Sequence, residues 1–154
     1  MSAIDAKLEE LGIVLPAPSV PVAAYVPFTV VDKLVFISGQ LPLENGQLKI
    51  TGLLGGEVDI AAGQRAARFC ALNVIAHLKS ACAGDLSRVA RCVKLGGFIA
   101  SAPGFFDQAK VMNGASELIQ SIWGDAGRHS RFAVGVAVLP LNAAVEVDAI
   151  FALR

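Results

Sequence analysis

Two stretches of the chain, residues 58–83 and 105–123, carry apolar side chains at helical spacing, and both are set among stretches that alternate every second residue or run in β-formers. A 3.6-residue period and a two-residue period cannot bury the same kind of face, so each stretch is tied to one type of element. The resulting order is strand, strand, helix, strand, helix, strand, strand. It restricts the fold to an α+β sandwich in which two long helices cover one face of a mostly antiparallel sheet and leave the other face to find a partner. A chain of 154 residues supports one such core rather than two.

Within the first helical stretch, Ala62, Ala66, Phe69, Asn73 and Ala76 fall on one stripe, and the small side chains let the helix lie close to a sheet. In the second, Phe106, Ala109, Met112 and Ile119 repeat before the glycines at 124 and 127. Residues 28–31 and 34–38, separated by Asp32-Lys33, read as a β-hairpin. Residues 88–101 read as a strand in which Gly96 and Gly97 mark a bulge or a crowded neighbour. Residues 131–138 and 144–153 both alternate, and the turn at 140–143 suggests that they form a final hairpin. The loop at 44–57 holds at most a short strand at 48–50. At the start, residues 3–11 make a short helix capped by Ser2. Pro16, Pro18, Pro21 and Pro27 then leave residues 15–27 as an extended, proline-tolerant strand with its core at 22–26. Residues 1–20 thus form a lead, and 21–154 the domain.

Hydrophobic residues make up 55% of the chain and charged residues 17%, too little polar material to clothe a monomer of this size, so an oligomer is expected. Basic and acidic residues balance at 13 each, without the clustered positive charge of a nucleic-acid binder. Cys70, Cys82 and Cys92 match neither a zinc site nor a disulfide framework and read as reduced core thiols. No metal site is expected. No apolar run approaches the ~20 residues that span a bilayer, and the charged N-terminus lacks a signal segment, so the expected location is cytoplasmic.

Three motifs appear in order: Tyr25 followed by Phe36-Ile37-Ser38-Gly39-Gln40-Leu41-Pro42; Arg131 opening a strand that runs to Leu139-Pro140; and Val145-Glu146-Val147-Asp148-Ala149-Ile150. In these the sequence, from about Tyr25 to its C-terminus, resembles the YjgF/RidA family, also called endoribonuclease L-PSP. The resemblance implies a chorismate-mutase-like fold and a homotrimer with three clefts between subunits. It also implies hydrolysis of 2-imino acids to 2-oxo acids and ammonia without cofactor. By the same resemblance Arg131 grips the substrate carboxylate and Glu146 is the acid associated with water. Tyr25 lines the cleft, Ser38 and Gly39 present backbone to the substrate, and Asn113 completes the wall. Phe132 and Ala133 stand where the deaminase branch has serine and cysteine, which places the chain nearer a longer branch with a different pocket.

The chemistry is reasonable on its own terms. A guanidinium holds a carboxylate by two charge-assisted hydrogen bonds and fixes the adjacent C=N carbon, after which a water and a carboxylate base suffice. If the last two strands form a hairpin, Glu146 lies opposite Ala137, roughly 20 Å along the strand from Arg131 at ~3.3 Å per residue. One chain would then be unable to bring both to one substrate. Two other readings remain open. The same clefts could bind a small carboxylate without turnover, or, following the family's older label, the protein could cleave RNA, which its charge balance and single Tyr and Trp do not favour. His129 and Ser130 beside Arg131 invite a hydrolase triad, but neighbours in a strand point to opposite faces.

Overall fold

The computed structural model describes residues 1–20 and 22–154. A short helix, α1 (Ala3–Glu10), begins with a capping box in which Ser2 and Asp5 exchange hydrogen bonds. The hairpin β1 (Phe28–Val31) and β2 (Leu34–Gln40) follows, then a small ribbon of β3 (Leu43–Glu44) and β4 (Gln47–Leu48). The long helix α2 (Ile60–Ala81) starts on Asp59, whose carboxylate accepts from the Ala62 amide at 2.7 Å. Then come β5 (Val89–Ala100), helix α3 (Gln108–Trp123), β6 (Ser130–Val136) and β7 (Val145–Leu153).

The five long strands form one sheet in the order β1-β2-β7-β5-β6, antiparallel except for the parallel pair β5 and β6. The expected final hairpin is therefore wrong. The unit β5-α3-β6 is a helical crossover, which returns the chain in its original direction and makes the two strands parallel. Leu141 and Asn142 at positive φ turn the chain after β6 and send β7 to the slot between β2 and β5. A central strand shows the cleanest alternation, and β7 does: Val145, Val147, Ala149, Phe151 and Leu153 are buried while the residues between them are half-buried.

Helices α2 and α3 cover one face of the sheet, with Leu95, Ile99, Val147, Ala149 and Phe151 beneath them and Trp123 packed on Phe151 at 5.7 Å between ring centroids. The buried face of α2 is centred on Gly63, Ala66, Ala67, Cys70, Ala71 and Val74, so the predicted stripe is rotated, with Ala62 and Phe69 on its flank. From Asn73 onward α2 is buried nearly all round, because the N-terminal lead covers its outer side. Asn73 uses that burial, donating to the Leu43 and Phe69 carbonyls at 2.8 and 2.9 Å and fixing the β3-β4 ribbon to the helix. Cys70, Cys82 and Cys92 are buried free thiols, as read from the sequence.

Residues 15–27 do not form the expected strand. Prolines remove amide donors there, and residues 22–25 bend instead of pairing; Pro21 lies outside the described residues. The short strand expected at 48–50 begins one residue earlier, at Gln47. Gly96 and Gly97 mark crowding rather than a bulge. A Cβ on Gly96 would meet the Phe132 ring at 2.6 Å, and one on Gly97 would meet Met112 Sδ at 2.5 Å.

Two predictions follow from this packing. Where α2 and α3 touch, a Cβ on Gly114 would come within 2.9 Å of Gln64 Cα and closer still to its carbonyl. Gly114→Ala forces the helices apart and lowers stability by about 1–3 kcal/mol in urea unfolding. His77 lies under the lead with Nε2 at 3.2 Å from Ser19 Oγ, and burial holds its imidazole below the ordinary 6.5. The unfolded chain then takes up a proton that the folded chain resists, so His77 withdraws stability as pH falls through 6.5. The loss of unfolding free energy between neutral and mildly acid pH is smaller in His77→Gln than in the parent.

Candidate functional site

The sequence-predicted residues gather in two places. The first lies between β6 and α3. In the ladder Arg131 is opposite Leu95, which in turn is opposite Ala149, and both of these face the helices. Arg131 therefore points toward α3. Its Nη1 donates to Asn113 Oδ1 at 2.9 Å and to Ser116 Oγ at 3.1 Å, and its Nη2 donates to the Ala109 carbonyl at 3.3 Å. Asn113 and Ser116 are one helical turn apart on α3 and so share a face. Together with Glu117, Gln120 and His129 they line an open cleft of about 320 Å³.

The guanidinium is half-buried, every acceptor it meets in the described residues is neutral, and none of the ion pairs among them includes it. Two of its five N–H groups, one on Nε and one on Nη2, remain for an anion. His129 belongs to this cluster too, with Nε2 at 2.9 Å from Ser116 Oγ and Nδ1 at 2.7 Å from the Gly127 carbonyl. Burial, with a smaller push from Arg131, holds its imidazole below the ordinary value against the pull of Gly127. Ser130 points elsewhere, donating to the Val93 carbonyl at 3.0 Å, so the His129 and Ser130 pair forms no triad.

The second place is on the uncovered face of the sheet. Gly39 sits over Glu146 so closely that a Cβ there would lie 3.0 Å from the carboxylate carbon. A side chain at position 39 would therefore displace the Glu146 carboxylate from where it lies. Ser38 Oγ donates to the Val26 carbonyl at 2.7 Å and its amide donates to the Pro27 carbonyl at 2.9 Å, tying the end of the lead to β2. Tyr25, next to that anchor, is 57% exposed. Burial, and secondarily the charge of Asp148, raises the Glu146 carboxyl above the ordinary range. Asp148 is raised as well, by burial, with the Gly96 amide and Lys94 opposing. Around these acids lie Phe36, Phe98, Phe132 and Val134, with Phe98 and Phe132 edge to face at 5.3 Å.

One protomer does not unite the two clusters. The hairpin geometry behind the 20 Å separation is overturned, since Glu146 pairs with Phe98 and not across a turn from Ala137. The true backbone separation is about 14 Å, two strands across and three residues along the ladder. What divides Arg131 from Glu146 is orientation: one faces the helices at an edge, the other faces outward from the centre. Ser116, Gln120 and Glu117 escaped the sequence reading. The Asn113-x-x-Ser116 spacing was the available signal, because it puts a second polar group on the face of α3 that carries Asn113.

Comparison with known proteins agrees with this architecture. Residues 5–153 match the family model described as "YjgF/chorismate mutase-like, putative endoribonuclease". Protein TCP17 of Trypanosoma cruzi is 48% identical over 152 residues, covering 98% of this chain and 94% of the relative. The crystal structure of Atu1372 from Agrobacterium tumefaciens, a protein of unknown function, superposes with a TM-score of 0.92 at 51% identity over 98% of this chain and 92% of that one. Escherichia coli TdcF with bound serine superposes at 0.63 and 26% identity over 90% and 93% of the two chains. The fit to Atu1372 is far tighter than the fit to TdcF, within one fold. An α+β sheet with helices on a single face and a match that spans nearly the whole sequence lead to one conclusion: the chain belongs to the YjgF family, the YjgF/chorismate mutase-like group that also carries the endoribonuclease L-PSP label.

Proposed function

We propose that the protein hydrolyses reactive imine and enamine intermediates, converting 2-imino acids to 2-oxo acids and ammonia without cofactor, in clefts formed where three copies meet. The observation that carries this reading is the Arg131 guanidinium, half-buried and held only by neutral acceptors, with two N–H groups left over. A buried cation without a carboxylate partner is costly, and a bound anion relieves it. A small amino acid in the related TdcF supports a ligand of carboxylate class.

In the reaction, the substrate carboxylate docks on the Nε and Nη2 edge of Arg131, which orients its C=N carbon toward the neighbouring copy. That copy supplies Glu146, with Tyr25, Ser38 and Gly39 closing the wall. Water adds to the carbon as Glu146 takes its proton. Glu146 passes that proton to the nitrogen, giving a carbinolamine. It then takes the proton of the new hydroxyl and delivers it to the nitrogen as C=O forms and the C–N bond breaks, so ammonia leaves with the oxo acid behind. A carboxyl held above its ordinary range by burial suits both halves of that transfer. The rival reading, carboxylate binding without turnover, uses Arg131 identically and dispenses with Glu146.

An amino-acid oxidase generating imines in the presence of semicarbazide separates the two. The parent protein lowers semicarbazone yield, and Arg131→Ala reduces kcat/KM by about a hundredfold. Equal yields with and without the parent protein eliminate turnover. Sharing of the site has its own signature. Sedimentation gives three copies of the 16.0 kDa chain. Arg131→Ala and Glu146→Gln are each strongly impaired alone, but randomly mixed trimers regain about a quarter of parental activity, because a cyclic interface pairs one intact residue from each. No recovery on mixing places both groups in one subunit.

A further inference from the structure

From Arg131 to the backbone beyond α3 runs an unbroken chain of hydrogen bonds whose direction is forced. A guanidinium only donates, so Arg131 Nη1 gives a hydrogen to Ser116 Oγ at 3.1 Å. A carbonyl only accepts, so His129 gives its Nδ1 hydrogen to Gly127 at 2.7 Å. A neutral imidazole protonated on Nδ1 has a lone pair at Nε2, and the Ser116 hydroxyl, having received from Arg131, donates to it at 2.9 Å. With a neutral imidazole, reversing the Ser116–Nε2 link or the Nδ1–Gly127 link breaks a bond at one end of the chain.

We infer that Ser116 and His129 are positioning residues for Arg131: neutral His129 takes the Ser116 hydroxyl hydrogen, which turns a Ser116 lone pair onto Nη1 and stops the guanidinium from rotating. Asn113 holds the other Nη1 hydrogen and the Ala109 carbonyl one on Nη2, so the fork is fixed on three sides and presents its remaining edge to a carboxylate. The arrangement has a physical logic. Each N–H pinned in advance is rotational freedom that a ligand does not have to remove. Of the charged groups nearby, Arg128 and Asp125 on the turn after α3 are exposed and pair with each other at 3.5 Å, and Glu117 lines the same cleft as Ser116 and His129. A protonated His129 has no lone pair for the hydroxyl and puts a second positive charge beside Arg131; burial, with a smaller push from that charge, opposes protonation against the pull of the Gly127 carbonyl.

The consequence for binding rests on the carboxylate reading of the cleft; the chain of bonds itself does not. Pyruvate binding by calorimetry on the intact oligomer, with nitrogen-15 spectra of His129 and of the Arg131 guanidinium, tests both. The parent is expected to show the Nδ1–H tautomer and separately resolved Arg131 Nη hydrogens. In Ser116→Ala and His129→Leu those hydrogens average by rotation and pyruvate Kd rises about tenfold. Ser116→Thr and His129→Gln, which keep the hydroxyl and an acceptor, return Kd to within about threefold of the parent. Should Ser116→Ala fail to fold, the two His129 variants make the same comparison. Resolved Nη hydrogens in all variants overturn the inference, as does an Nε2–H tautomer in the parent. A parent that binds no pyruvate removes the carboxylate reading, and the Arg131 spectra alone then decide the positioning role.

Discussion

The parallel pairing of β6 on β5 is the constraint from which the rest of this molecule follows. Once α3 carries the chain back to run alongside β5, β6 occupies the outer edge and the last strand has to enter the centre of the sheet, between β2 and β5. That topology puts Arg131 at an edge, where its side chain reaches the polar face of α3. It puts Glu146 in the middle, where alternate residues are committed either to the core or to the uncovered face. A hairpin of the last two strands would have kept both residues on neighbouring strands of one edge. The crossover separates them by face as well as by distance.

The uncovered face explains why separation is useful. Phe36, Phe98, Phe132 and Val134 form an apolar surface that also carries Glu146, Asp148 and Lys94, whose ammonium lies 5.4 Å from the Phe132 ring centroid. Covering that surface with a second copy returns about 25 cal/mol for each Å² of apolar area, while two carboxylates oppose burial by the same physics that raises their pKa. In the proposed trimer that surface is a seam, where an acid stands for a reason other than stability. Under the proposed function the reason is proton transfer to and from water at a site that exists only when subunits meet. The low charge content of the chain, 17%, is the sequence-level trace of the same unfinished surface.

Local periodicity was enough to read α2, the β1-β2 hairpin and the alternation of β6 and β7, because each depends on residues within one element. It also gave α3, but with a stripe that is wrong at its start, since α3 begins at Gln108, Phe106 before it is 87% exposed and Ala109 is exposed. Pairing partners do not. Nothing in residues 130–153 distinguishes a hairpin from two strands placed apart in a sheet, since both give the same alternation and the same turn; only the preceding helix, by making β6 parallel to β5, decides the matter. The stripe on α2 was read off centre for a related reason. Asn73, Ala76 and His77 are buried by a lead segment that looks like a strand in composition but lacks the amides to pair. Of the site, Arg131, Glu146, Gly39 and Ser38 were legible through motifs, and Asn113 through resemblance. Ser116 was missed although its three-residue spacing from Asn113 puts it on the same face of α3, because that spacing gains meaning only once Arg131 is known to reach that face.

Neutral support of Arg131 is what ties the site to its chemistry. A carboxylate beside the guanidinium would hold it as firmly and would also cancel its charge, leaving little for a ligand to gain. Asparagine, serine and a main-chain carbonyl supply direction without compensation. The cost of keeping a half-buried cation uncompensated in the free protein is recovered when an anion arrives, so the same arrangement that weakens the empty site strengthens the filled one. Placing the carboxylate of Glu146 on the opposite face of the sheet completes that logic. An acid near enough to act within the same protomer would pair with Arg131, whereas under the proposed function one delivered by a neighbouring copy would be set by the interface and remain available for the water.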